Sequence, residues 1–86
     1  LIMTQQSNEV AKYQQLITTD KALITIRQQL KETAATQLAN GLISALDYVS
    51  YVNAEAEANQ DLVLHQIQLL MAQYNLKIVQ ILRIAM

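Results

Sequence analysis

The side chains of this chain best equipped for chemistry are His65, Asp47, Glu55 and Glu57, and their spacing decides what they can do. His65 is the only histidine. A metal site on a helix wants further ligands one turn away, and Asp61, four residues earlier, is the only such partner. Leu62, Leu64 and Leu69 flank His65, so packing or a hydrogen bond to a neighbouring helix is its expected role. Glu55 and Glu57 stand two residues apart and point to different faces of a helix, not into one acid–base pair. Cysteine is absent, which excludes disulfides and thiolate metal sites. There is no glycine-rich phosphate loop and no nucleophile elbow. The sequence therefore predicts no catalytic site, no metal and no cofactor; an enzyme is the class it supports least.

Asp47 has a different logic. The run Leu38-Ala39-Asn40-Gly41-Leu42-Ile43-Ser44 interrupts a helical pattern. Gly41 suits the left-handed position after a helix C-terminus. Ser44 is a good N-cap, and Asp47, three residues on, is the acidic partner of a capping box. Ile43 before the cap and Tyr48 at the fourth helical position suit a hydrophobic staple. A capping carboxylate also suits the positive end of a helix. An exposed cap can at the same time face a channel, so the two roles of Asp47 are compatible.

The elements that position these residues follow from composition and period. The chain has 86 residues, no proline and one glycine. Helix interiors tolerate neither residue well, so long helices are favoured. Six basic and seven acidic residues nearly cancel, with no basic patch for nucleic acid. The start lacks the basic and apolar regions of a signal peptide. The most apolar stretch, residues 67–86, is broken by Gln68, Gln73, Asn75, Lys77, Gln80 and Arg83, so no membrane span is expected. The ends of the chain read as those of a segment from a longer protein.

A helix is predicted over about 8–39, a turn over 40–44, and a second helix from Ala45 to about Arg83. Each carries two apolar rows at close to seven-residue spacing. In the first helix these are Val10, Tyr13, Ile17 and Ile24, and then Leu16, Leu23 and Leu30 with Ile26 and Ala34. In the second they are Leu46, Val49, Ala56, Val63 and Leu70 with Ile67 and Tyr74, and Tyr48, Glu55, Leu62, Leu69 and Leu76 with Ala58, Ala72 and Val79. One stripe suits a two-stranded coiled coil, whereas two stripes imply neighbours on two sides. The short turn makes the helices antiparallel neighbours. The alanines between Asn53 and Asp61 permit close approach. A helix of about 39 residues spans roughly 58 Å, so the expected fold is an all-α antiparallel hairpin that projects as a rod or packs into something larger.

The segment from Thr36 to Tyr48, with Asn40-Gly41-Leu42-Ile43-Ser44 and then Leu46-Asp47, resembles the tip of the second, C-terminal periplasmic hairpin of TolC-type outer-membrane efflux proteins. Asn53-Ala54-Glu55-Ala56-Glu57-Ala58, residues 62–74 and the close Ile67 to Asn75 are similar to that family's return helix. Lys12-Tyr13-Gln14-Gln15-Leu16-Ile17 resembles the preceding helix in Bacteroides-group versions. The likeness covers roughly 8–77. It implies a homotrimer in which each subunit gives two hairpins to a periplasmic tunnel and four strands to a β-barrel. Within such a protein this segment would lie in the periplasm, outside the membrane. The tips narrow the channel and meet a periplasmic adaptor that links to an inner-membrane pump. Asp47 matches the family's entrance carboxylate. Asn40, Gly41, Leu42, Ile43 and Ser44 match the tip turn, where Leu42 and Ile43 would offer an apolar docking surface. The chain departs from the family at Ser50, where some members have a second carboxylate, at Ile43, where some have a base, and over 77–86.

The resemblance implies a passive conduit: a stretch of tunnel wall, with glutamine and asparagine as wet lining and leucine stripes as seals. The alternative of another class is a small self-associating helical adaptor with no membrane role. A lipid-surface helix would want one broad apolar face opposed by Lys and Arg, which this chain lacks.

Overall fold

The computed structural model describes residues 2–85 and consists of two helices, α1 (Ile2–Ala39) and α2 (Ala45–Ala85). They pack against each other along their length as an extended antiparallel hairpin measuring 68 × 14 × 14 Å. The helices are longer than their periodicity suggested. α1 begins six residues before Asn8 and α2 runs two residues past Arg83. Residues 2–7 hold no glycine or proline to stop a helix, and Gln6 continues the half-buried face of α1.

Burial shows which rows meet. On α1 one row of covered positions steps by fours and threes: Gln6, Val10, Tyr13, Ile17, Asp20, Ile24, Arg27, Lys31, Ala34 and Leu38. The matching row on α2 is Tyr48, Tyr51, Glu55, Ala58, Leu62, His65, Leu69, Ala72, Leu76 and Val79. This is a heptad seam, with both helices presenting alternate three- and four-residue steps to each other. The seam is thin. Its buried apolar residues are Ala34, Ala58 and Ala72.

Two polar pairs cross the seam and fix its register. Asp20 meets His65, and eleven residues further along α1 Lys31 meets Glu55. This alignment sets each buried alanine at about the level of a bulkier residue on the other helix. Ala34 lies level with Tyr51, Ala58 with Arg27, and Ala72 with Tyr13. Tyr13 and Ala72 line one shallow interhelical depression of about 230 Å³, as that register requires. Small opposite large is what allows two helices to stay close along a straight rod. Threonines inside α1 are held by their own helix: Thr18, Thr19, Thr25 and Thr36 donate to the carbonyls four residues back.

Candidate functional site

The tip is built by three local devices. α1 has no basic residue in its last turn, so its final carbonyls need another donor. Gly41 provides the geometry, with φ at +71°. Leu42 N–H then donates to Gln37 O at 2.8 Å, and Gly41 N–H to Leu38 O at 3.0 Å. These two bonds are the Schellman motif. No atom lies within 4 Å of where a Gly41 Cβ would stand, so it is backbone dihedral, not crowding, that calls for glycine.

On the other side of the turn Ser44 and Asp47 cap α2 reciprocally. Asp47 N–H donates to Ser44 Oγ at 3.1 Å, and Ser44 N–H donates to Asp47 Oδ2 at 3.1 Å. The carboxylate thus lies in the first turn, where the helix end is positive, and Arg83 lies in the last turn, where it is negative. Asp47 remains exposed while capping. The apolar pair at the tip divides: Leu42 is 72% exposed, whereas Ile43 is half-buried, as is Tyr48 beyond the cap. The outward apolar surface of the tip is therefore Leu42 with Leu46, the latter 79% exposed, and Ile43 turns inward.

The second feature is the outer face of α2. Among the described residues, thirteen of the sixteen large exposed hydrophobic residues belong to this helix. Leu46, Val49, Val63, Ile67, Leu70 and Tyr74, all from one of the two predicted rows, are uncovered. The heptad positions between them carry Asn53, Ala56 and Gln60, so the strip has no charge from Leu46 to Tyr74. Three shallow grooves of about 420, 420 and 460 Å³ succeed one another along this side of the helix. The corresponding second row of α1 is weaker. Leu16 and Leu23 are half-buried at the margin of the seam, and Ile26 and Leu30 are exposed.

His65 lies in the seam with Nδ1 2.5 Å from Asp20 Oδ2. Asp20 is 8% exposed and is the one buried charged residue among the described residues. The sequence led to packing or a hydrogen bond to a neighbouring helix as the role of His65, and the structure shows such a bond, to Asp20 of α1. One carboxylate and one imidazole do not make a metal site, and among the described residues no group of three or more His, Asp or Glu is placed to hold an ion. Lys31 Nζ lies 2.7 Å from Glu55 Oε2. The hydrogen bond to Glu55 and its charge hold the lysine above its ordinary value, against a smaller desolvation effect. Glu57, by contrast, is exposed.

No helix among the described residues is long and apolar enough to cross a membrane. No family model, curated protein or solved structure matches this chain.

Proposed function

We propose that this chain is a stretch of tunnel wall from a TolC-type outer-membrane efflux channel, acting as a passive conduit in the periplasm. The observation that carries the reading is the double use of α2. One of its heptad faces is spent on α1, and a second, uncharged for four heptads, is left uncovered. A helix with seams on two sides belongs to a lateral array, and an array closed on itself encloses a channel. The tip accords with this. Its turn is short and doubly capped, Leu42 and Leu46 project for a docking partner, and Asp47 is exposed at the end of the rod. In this reading the assembly is a homotrimer, the tip meets a periplasmic adaptor serving an inner-membrane pump, and the segment does no bond chemistry.

The same uncovered face also favours a second reading, a self-associating helical adaptor without a membrane role. One experiment separates them. Val63→Asp with Leu70→Asp is introduced into the full-length protein, and membrane fractions are tested for trimers and for pores in planar bilayers. The conduit reading requires that the unaltered protein form pores and that the double variant lose them with the trimer. A protein that never enters the outer membrane, or that conducts unchanged with both aspartates present, overturns it.

A further inference from the structure

Asn40 and Gly41 together carry a reactivity that the fold controls. Both residues are exposed at the tip, and the space beside Gly41 Cα is open. Nothing on the glycine obstructs approach of its backbone nitrogen to the side-chain amide before it. We infer that Asn40 is a site of spontaneous deamidation whose rate is set by opening of the turn that closes α1.

The reaction needs only water. The Gly41 backbone nitrogen gives up its proton to hydroxide and attacks Asn40 Cγ. A new N–C bond forms, the Cγ–Nδ2 bond breaks, and the side-chain nitrogen leaves as ammonia. Water then opens the five-membered imide at one carbonyl or the other. The product is aspartate, or isoaspartate with the main chain running through the former side chain.

The folded turn restrains each step. The proton that must leave Gly41 is donated to Leu38 O at 3.0 Å. Asn40 N–H donates to Thr36 O at 3.1 Å, which holds Asn40 in the last turn of the helix. Ring closure requires rotation about the Asn40 Cα–C bond to bring Gly41 N beside Cγ. That rotation also breaks the 2.8 Å bond from Leu42 N–H to Gln37 O. The turn must therefore open locally before the chemistry can proceed. The other asparagines, Asn8, Asn53, Asn59 and Asn75, lie inside helices and precede Glu9, Ala54, Gln60 and Leu76. Each of those following residues carries a Cβ that crowds the attacking nitrogen.

Either product places a carboxylate at the negative end of α1. Isoaspartate also adds an atom to the main chain between the donors and acceptors of the Schellman motif. Ageing of this one residue thus loosens the tip and adds charge close to the cap of α2.

The test is incubation of the chain in warm neutral buffer, folded and in urea, with peptide mapping for the gain of one mass unit and for isoaspartate. In urea Asn40 should convert well ahead of the other asparagines, and Gly41→Ala in urea, where folding does not matter, should slow it. In the folded chain conversion of Asn40 should be slower by about tenfold or more, because several hydrogen bonds must open first. Conversion in urea spread evenly over the asparagines would overturn the assignment of the site. Equal rates at Asn40 in folded and unfolded chain would overturn control by the turn.

Discussion

Nδ1 of His65 on α2 and Oδ2 of Asp20 on α1 share a hydrogen bond of 2.5 Å, near the middle of a seam whose buried apolar residues are alanines. The side chains are 22% and 11% exposed, so little water competes for the bond. Removing one partner strands the other. His65→Leu should lower the stability of the hairpin by about 1–3 kcal/mol, the cost of an unpaired, mostly buried polar group. Asp20→Leu with His65→Leu should recover most of that loss, because a matched apolar pair strands nothing. Thermal or urea melts of the two single variants and the double variant give the coupling directly. Additive losses in the double variant would mean that the two residues act independently.

The helix pair and its turn were legible in the sequence because the signals there are local. Gly41, Ser44 and Asp47 each act within five residues, and no distant contact can override them. The partner of His65 was not legible, for a reason visible in the seam. The first apolar row of α1, Val10, Tyr13, Ile17 and Ile24, runs through Asp20, Arg27 and Lys31 at the same heptad steps. A row traced by hydrophobicity passes over those three residues, although they face α2 as fully as their neighbours do. Nor could periodicity tell which of the two rows of α2 would meet α1. Both repeat every seven residues, and the turn selects between them by setting the rotation at which α2 starts. The remaining row of α2 is left uncovered in the hairpin.

Arg27 shows what a polar seam position costs when it lacks a match. It lies level with Ala58, whose small side chain leaves room for it, and its Nε is sealed from solvent without a hydrogen-bond partner. Arg27→Met keeps the aliphatic stem and removes the stranded donor. The isolated hairpin should gain about 1 kcal/mol in urea unfolding. A loss of similar size would show that the guanidinium makes a favourable contact in solution.

The cap at α2 gives a prediction confined to one turn. Ser44→Ala removes the oxygen that accepts from Asp47 N–H and should cost about 1 kcal/mol. Ser44→Asp should restore most of it, since aspartate is as good an N-cap as serine. Hydrogen exchange should report the loss as faster exchange of the first amides of α2, with the centre of the helix protected as before.

Lys31 supplies the pH dependence. Its pairing with Glu55 holds it above its ordinary value of 10.5. A group raised in the folded state contributes stability that is fully present below the unfolded value and is lost as pH rises through the folded one. The hairpin should therefore lose stability above about pH 10.5, with no corresponding loss from this pair nearer neutrality. Its contribution is screened, because the lysine side chain is a third exposed. Melting temperatures of the native chain and Lys31→Gln, followed through the alkaline range at low and high salt, isolate its contribution. The two curves should converge as Lys31 loses its proton. A constant offset between them at all pH values would assign the effect of the substitution to packing.

The last prediction concerns Asp47 in the full-length channel and rests on the conduit reading. Three copies of one tip around a threefold axis bring three carboxylates to the mouth. Their combined field attracts cations and is screened within about 8 Å at physiological ionic strength. Asp47→Asn should then reduce cation preference and weaken block by multivalent cations, most clearly at low salt. The substitution is chosen for what it preserves. Ser44 N–H donates to Asp47 Oδ2 at 3.1 Å, and the amide oxygen of asparagine can accept the same bond. Charge is removed while most of the cap remains. Single-channel conductance and reversal potential in planar bilayers, at low and high salt, supply the measurement. Selectivity unchanged at low salt would leave Asp47 as a helix cap alone. Loss of the trimer in Asp47→Asn would also count against the entrance role, because the carboxylate would then be required for assembly and not for the field it casts.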